Sequence, residues 1–170
     1  MKKMKRLVAV LLVGIMALAM LTACGVTPSA PSMRDTALEK SVAQWTVELG
    51  RSNGLTLTVD SELTEISNKC LPTAVKVENA RLAFPKDQNA YHDAVKKRET
   101  FFAEAKKGKK AALVPVSFPS GTEVTENTLA NRKGDIWDKL RDADVNNPTK
   151  FGVTVTKQKE YTLVLFVVSE

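Results

Sequence analysis

The sequence predicts an α+β domain, built as a three-layer α-β-α sandwich with a central antiparallel sheet and a C-terminal hairpin. Apolar residues recur at helical spacing over much of the chain after residue 35, whereas the C-terminal segment has the pattern of two strands. The last strand, 161–168, is a near-continuous apolar run. A strand that is apolar on both faces belongs inside a sheet covered on both sides. Helices first and a hairpin last indicate the α+β class.

The N-terminal part of this region predicts two helices joined by a short extended stretch. The first helix begins after Asp35, a preferred N-cap residue, and ends in the glycine-bearing turn 50–54. Its apolar residues have helical spacing: Leu38, Val42, Trp45 and Leu49. Alternation in 55–59 predicts an extended connection. A second helix begins at Asp60 or Ser61. It is predicted to end or restart at Pro72, because proline lacks a backbone N–H and is disfavoured inside a helix.

The middle of the chain predicts one more helix and one strand. The segment 73–84 fits a helix or a strand, and both readings remain open. A helical pattern extends over 89–107. The run 113–118 predicts a strand, and Pro115, which has no N–H to donate, places that strand at an edge of the sheet or first in it.

The C-terminal part predicts a helix and then the hairpin. The helix begins at Asp135 and carries three apolar side chains, Ile136, Trp137 and Leu140. Alternating residues in 151–156 predict a strand, and a polar turn separates it from the apolar strand 161–168.

The N-terminus has the pattern of a cleaved export signal. Residues 1–6 carry four positive charges, and the apolar run 7–20 is too short to span a membrane comfortably, since a spanning helix needs about 20 apolar residues. Residues 21–24, Leu-Thr-Ala-Cys, resemble the lipobox of bacterial lipoproteins. That resemblance implies cleavage after Ala23 and a diacylglyceride on Cys24. An ordinary signal peptide and an uncleaved membrane helix are the alternatives.

The lipobox resemblance predicts the organisation of the whole chain. Residues 1–23 are a lipoprotein signal peptide, 24–34 a small-residue, proline-bearing tether, and 35–170 a single globular domain. Two acyl chains anchor a protein stably where one does not. The predicted location is therefore the extracytoplasmic face of a cell membrane, with the membrane itself as one partner.

Charge and composition argue against nucleic-acid binding. Four of the 25 Lys and Arg residues lie within 1–23, where there is no acid, so the remainder carries 21 basic residues against 19 acidic ones. The local cluster 106–110, Lys-Lys-Gly-Lys-Lys, predicts a solvated turn after a helix. The sharper alternative is contact with a membrane surface or a polyanion.

Few residues offer metal or nucleophilic chemistry. Lipidation of Cys24 leaves Cys70 as the only thiol, and its place on the apolar stripe of the second helix predicts a buried, inert side chain. His92 is the only histidine and is expected on an exposed helix face. We therefore predict no metal site and no cofactor.

Several short stretches together resemble the CAP superfamily, which comprises cysteine-rich secretory proteins, antigen five and pathogenesis-related proteins. The stretch 47–55 is similar to a family helix that runs to a turn with "NGL", and 125–130 is similar to the family's "GENIA". Trp137 falls where a helix tryptophan is expected, and 147–153 resembles the entry to the last hairpin. The likeness covers most of 38–168, although 85–118 has no counterpart.

The CAP resemblance implies a central cleft that has lost its chemistry. Family members place two histidines and two acids there, and only Glu126 matches that set; no histidine follows Trp137. We therefore expect a degenerate, non-catalytic module, not an enzyme, that binds an unknown envelope ligand or protein. The alternatives are a structural envelope lipoprotein of unrelated α+β fold and a hydrolase that uses Glu126.

Overall fold

A computed structural model describes residues 34–170, which form one compact unit. The predicted signal peptide, Cys24 and all of the predicted tether except Arg34 lie outside the described residues. The helices are α1 (Thr36–Ser52), α2 (Ser61–Ala83), α3 (Gln88–Ala105), α4 (Glu126–Ala130) and α5 (Lys133–Asp142). The strands are β1 (Thr58–Val59), β2 (Ala111–Pro119), β3 (Lys150–Lys157) and β4 (Tyr161–Ser169). None of the helices within 34–170 has the length and apolar character needed to cross a membrane.

The four strands form one sheet in the order β1-β3-β4-β2, so the α+β class and the C-terminal hairpin are confirmed. The expectation of a purely antiparallel sheet is wrong, because β1 pairs in parallel with β3. The Thr58 N–H donates to the Thr149 carbonyl at 2.9 Å, and the Asp60 N–H donates to the Phe151 carbonyl at 2.8 Å. The chain here travels in the direction of β3 because it leads directly into α2, which packs against that strand.

Both faces of β4 are buried, as its apolar run predicts. Val164, Phe166 and Val168 join a cluster with residues of α1, α4 and α5, and we call this side the α1 face. Leu163, Leu165 and Val167 join a second cluster with residues of α2, and we call this side the α2 face. Burial of two such sets in one strand follows from the two-residue repeat of a β-strand.

Helix α2 runs through Pro72, so the prediction that this proline ends or restarts the helix is wrong. Pro72 lies on the exposed side of α2, as does Asn68, whose carbonyl loses its i+4 donor. Water can satisfy that carbonyl, while the buried neighbours Leu71 and Ala74 hold the helix against the sheet. The packing of α2 on the sheet therefore outweighs the cost of the proline. The segment 73–84, for which the sequence fits either a helix or a strand, is helical for nearly its whole length.

The N-terminal turns of α2 approach β3 more closely than any side chain would allow. A Cβ added at Gly152 would lie 2.0 Å from the Thr64 nitrogen and 2.2 Å from the Leu63 carbonyl carbon. Further along the same contact, the hydroxyls of Ser67 and Thr154 lie 2.7 Å apart, and Ser67 also donates to the Leu165 carbonyl at 2.7 Å. Backbone proximity and a buried polar pair therefore fix this contact.

The remaining connections adjust the predicted boundaries. Helix α5 begins at Lys133 and not at Asp135, and the unpredicted helix α4 begins at a capping box between Thr125 and Thr128. Strand β2 lies at the sheet edge, as Pro115 predicts. Helix α3 packs along α2 and has no fully buried residue of its own.

The outer edge of β3 beyond β1 is covered by the start of α1. The Asp35 N–H donates to the Val155 carbonyl at 2.8 Å, and the Val155 N–H donates to Glu39 Oε1 at 3.0 Å. Arg34 forms a two-bond pair with the same carboxylate. A side chain thus takes the place of a neighbouring strand and fixes the point where the folded unit begins.

Candidate functional site

A hollow of the described unit lies beside β2, and we call it the β2-edge groove. Its volume is about 570 Å³. Strand β2 contributes Leu113, Pro115 and Ser117, alternate residues that share the α2 face of the strand. The C-terminal half of α2, the helix α3 and, at the rim, α5 supply most of the remaining side chains. A volume of this size lies within the range of small-molecule sites.

Charged side chains from three helical regions and from the turn before β4 line the β2-edge groove. Four of them are cationic and two are anionic: Arg81, Arg98, Arg132 and Lys139, with Glu78 and Glu160. Because both signs are present, the way in which the charges pair decides the electrostatic character of the groove.

Two of the four cations are already neutralised by neighbouring carboxylates. The Arg81 guanidinium donates twice to Glu78, from Nε at 2.9 Å and from Nη2 at 2.6 Å. Arg132 Nε lies 2.8 Å from an Asp135 oxygen in an exposed pair. These two arginines therefore contribute hydrogen-bond donors and part of the groove wall, but little net positive charge.

Arg98 and Lys139 are the two cations without a close carboxylate. The nearest carboxylate oxygen to Arg98 belongs to Glu99, at 4.0 Å, and the Arg98 side chain is only 18% exposed. Lys139 has no ion pair within the described part of the chain and lies on the exposed side of α5. With Glu160 as the remaining unpaired acid, the free charge of the groove is positive.

Glu78 lies on the α2 wall of the groove, where its carboxylate accepts two hydrogen bonds from Arg81. Burial alone would raise the pKa of the Glu78 carboxyl, but hydrogen bonds from Arg81 and Ser117 outweigh it and hold the pKa below the usual 4.5. The carboxylate therefore stays ionised at neutral pH. It holds the Arg81 guanidinium, and it is unsuited to release or accept protons near pH 7.

Tyr161 closes one end of the groove as a buried hydrogen-bond donor. Its hydroxyl donates to Asn79 Oδ1 at 2.8 Å and lies 3.3 Å from the Val75 carbonyl oxygen. Burial first, and then the charges of Glu78 and Glu160, raise the pKa of Tyr161 to about 12. A neutral phenol held in this way joins α2 to the start of β4.

The register of the sheet shows which backbone groups β2 presents to the groove. Val155 turns its N–H and C=O away from β4, so the residue before it in β3, Thr154, turns its own toward β4 and forms a hydrogen-bonded pair with Leu165. Leu165 therefore forms a non-hydrogen-bonded pair with Pro115, and odd-numbered β2 residues face the free edge. Pro115 and Pro119 remove two of the N–H donors of that edge.

A second, smaller hollow lies between α1 and α5 on the α1 face. Its volume is about 40 Å³, and its lining is almost wholly apolar, including Leu49, Leu57 and Trp137. Apolar cavities of this kind stay dry and hold at most a small apolar group. Trp137, which the CAP resemblance singled out, is thus a packing residue beside Leu49 and Leu57.

Neither Glu126 nor His92 is among the residues that line the groove or the apolar hollow. Glu126 is the exposed first residue of α4. His92 is exposed on α3, as predicted, with its ring 5.7 Å from that of Tyr91. Within residues 34–170, no group of three or more His, Cys, Asp or Glu side chains could hold a metal ion.

Cys70 and the lysine cluster have the local structures that the sequence predicts. The Cys70 thiol is free and fully buried, and burial raises its pKa to about 11. The segment 106–110 is a mostly exposed turn that leads into β2. Lys109 pairs with Glu62 and Lys110 with Glu170, each at 2.8 Å.

Sequence reasoning missed the β2-edge groove because its charged residues come from four separate segments. The one local signal is the spacing of Glu78 and Arg81, which places opposite charges three residues apart on one helix face. Such pairs are common on solvated helices, so this spacing alone does not indicate a site.

Comparison of the chain with models of known protein families, with curated proteins and with solved structures finds no match.

Proposed function

We propose that this chain is a lipoprotein anchored at the extracytoplasmic face of a cell membrane, and that its folded domain is a non-catalytic, CAP-like binding module. The β2-edge groove is the proposed binding site. The observation that carries the binding function is the groove itself. It has about 570 Å³ of space in which charged side chains of α2, α3 and α5 converge beside an edge strand.

The anchor is supported by the lipobox-like residues 21–24 and by the length of chain that follows them. Arg34, the first residue of the folded unit, comes ten residues after Cys24. A fully extended chain reaches at most about 3.3–3.6 Å per residue, or roughly 35 Å over this length. The domain can therefore stand clear of the lipid headgroups while remaining bound to the membrane.

A binding role, as opposed to catalysis, is supported by the state of the groove residues. Glu78 is paired with Arg81 and its pKa lies below the usual value, while Tyr161 is held neutral, so neither is poised for proton transfer at neutral pH. Glu126, the residue on which a hydrolase would rely, is exposed on α4 and does not line the groove. The CAP resemblance does not extend to two walls of the groove, because all of α3 and all but the last residue of β2 lie in 85–118, the segment without a CAP counterpart.

The anchor is tested by replacing each of the two cysteines in turn. Cys24→Ser removes the thiol that lipid attachment requires, so the protein should accumulate as an unlipidated, uncleaved precursor, and no protein of mature size should enter the detergent phase. Cys70→Ala is the matched control and should still partition as the mature lipoprotein, because Cys70 is buried in the folded domain. Detergent phase separation followed by mass measurement reads both outcomes. Cys24→Ser protein of mature size in the detergent phase would contradict the proposal.

A further inference from the structure

We infer that the β2-edge groove binds a soluble oxyanionic ligand, one that carries phosphate or carboxylate groups, and that Arg98 and Lys139 hold those groups. The inference rests on the proposed binding function and deepens it by naming the ligand chemistry. It starts from the two cations of the groove that have no close carboxylate.

Arg98 carries the argument because its charge is largely removed from water without being neutralised. The side chain is 18% exposed, and the nearest carboxylate oxygen, on the mostly exposed Glu99, is at the outer limit of an ion pair, 4.0 Å. A buried charge is costly unless a partner compensates for it. A planar guanidinium with free donors matches a phosphate or carboxylate well, so a bound oxyanion would supply the missing partner.

Lys139 places a second positive charge at the opposite rim, on α5. Arg132, another cation that lines the groove, forms only an exposed pair with Asp135, and exposed pairs exchange partners at little cost. An anion that enters the groove therefore meets Arg98 on one wall and Lys139 on the other, with Arg132 available as a further donor. Arg81, the fourth cation of the groove, is held by Glu78.

The outer edge of β2 argues against an extended peptide as the occupant. A peptide that adds to a sheet edge is held by backbone hydrogen bonds along that edge. Pro115 and Pro119 are odd-numbered β2 residues, whose backbone faces the free edge, and neither has an N–H to donate. The hydrogen-bond ladder to an added peptide would therefore be interrupted twice. Recognition is left to the side chains, and two of the three charged side chains without a close partner, Arg98 and Lys139, are cationic.

The test is calorimetric titration of the full chain, solubilised in a non-ionic detergent at low salt, with two probes. Inorganic tripolyphosphate reports phosphate chemistry, and citrate reports carboxylate chemistry. At least one should bind, and added salt should weaken the binding. Arg98→Gln and Lys139→Gln should each weaken it roughly tenfold, because a hydrogen bond to a charged group is lost. Lys139 is exposed, so that variant still tests the inference if Arg98→Gln does not fold.

Two further variants separate a specific site from general attraction to a basic protein. Lys96→Gln makes the same change of charge on another face of α3, outside the groove, and should alter the affinity by less than about twofold. Glu160→Gln removes the unpaired acid of the groove and should tighten binding a few-fold. Binding of either probe with this pattern supports the inference.

Absence of binding by both probes would overturn the inference, as would an Arg98→Gln or a Lys139→Gln variant that folds and binds like the parent. An equal loss in Lys96→Gln would also overturn it, because binding would then follow net charge alone. None of these results bears on the anchor, since the Cys24→Ser experiment measures membrane partition and not anion binding.

Discussion

The two faces of the sheet are closed in different ways. On the α2 face, the backbone of α2 lies against the backbone of β3, and only the absence of a side chain at Gly152 permits the contact. On the α1 face, contact is made by side chains, and an apolar hollow of about 40 Å³ remains beside Trp137. One face is therefore fixed by main-chain geometry, whereas the other has room to adjust.

The two faces also differ in their buried polar groups, which again fix the α2 face more closely than the α1 face. The Ser67 and Thr154 hydroxyls form a buried bridge between α2 and the sheet. The side chains of the α1-face cluster are hydrophobic, and the polar groups of α1 that touch the sheet do so at the edge of β3. A directional hydrogen bond adds orientation to the α2 contact that hydrophobic packing does not require.

The largest expected effect comes from placing a charge on either face of β4. Leu165→Asp puts a carboxylate on the α2 face and Phe166→Asp puts one on the α1 face, and both positions are at most 1% exposed. Loss of a large buried side chain alone costs about 3–5 kcal/mol, and an unpaired charge adds to this. Both variants should be severely destabilised in thermal melts. Val59→Asp, at a position that is 55% exposed, is the control. A parent-like melt for either β4 variant would mean that its face is open.

A smaller but more discriminating comparison is made with two glycines. Gly152→Ala would place a Cβ against the backbone of α2 and should cost about 3 kcal/mol or more, because main chain cannot yield as a side chain does. For Gly50→Ala on the α1 side, the three atoms nearest to the added Cβ all belong to the Leu57 side chain, the closest at 2.8 Å. Alanine is the better helix former by about 1 kcal/mol, which offsets that contact.

Chemical denaturation should therefore show a large loss of unfolding free energy for Gly152→Ala. The value for Gly50→Ala should lie within about 1 kcal/mol of the parent. Similar losses in the two variants would remove the distinction between main-chain and side-chain closure.

The buried hydroxyl pair should show coupling of intermediate size. Because Ser67 donates to the Leu165 carbonyl, Thr154 donates to Ser67. Ser67→Ala removes both bonds of Ser67 and should cost about 1–3 kcal/mol. Adding Thr154→Val should cost less in the double variant than in the parent, since its hydroxyl is already unsatisfied. A double-mutant cycle by denaturation measures the coupling, and strict additivity would show that the two hydroxyls do not interact.

The smallest effect concerns pH and the Glu78 carboxylate on the α2 wall of the groove. The folded-state pKa of Glu78 lies below its usual value of 4.5, so its contribution to stability is complete above pH 4.5. That contribution is lost as the pH falls through the lower folded-state value. Melting temperatures measured from about pH 6 down to about pH 3 should fall less steeply in Glu78→Gln than in the parent. Parallel curves would mean that the carboxylate is no better stabilised in the folded chain than in the unfolded one.

Local patterns were sufficient to predict much of the fold. Asp35 and Asp60 cap α1 and α2, each accepting at 3.0 Å from the N–H three residues later, as their position before an apolar repeat predicts. The both-sided apolar run of β4 and the edge position of β2 also follow from local sequence. Each of these features depends on a few neighbouring residues.

The errors in the fold arise where tertiary contacts override local preference. Pro72 disfavours a helix interior, but its exposed position and the buried residues around it keep α2 continuous. The two residues of β1 run parallel to β3 because of where the chain must enter α2, which alternation within 55–59 cannot reveal.

The site could not be predicted because it depends on how distant segments meet. In the sequence, Arg98 belongs to a polar helix like any solvated one, and its side chain is removed from water only where α3 packs on α2 in the folded chain. Glu126, singled out by resemblance, is exposed on α4, outside the groove. The feature that indicates this site is the burial of a charged side chain, and burial is a property of the folded chain.

The prolines at the outer edge of β2 also bear on how copies of the protein behave toward one another. A lipoprotein anchored as proposed is confined to a surface, where identical molecules meet far more often than they do in solution. An open edge strand is a template on which a second copy could pair and from which polymers could grow. Pro115 and Pro119 interrupt that template at two places on the open side of β2, while α1 covers the outer edge of β3. Neither edge of the sheet offers an uninterrupted row of backbone hydrogen-bonding groups. Dense lateral packing on a membrane can therefore occur without edge-to-edge polymerisation.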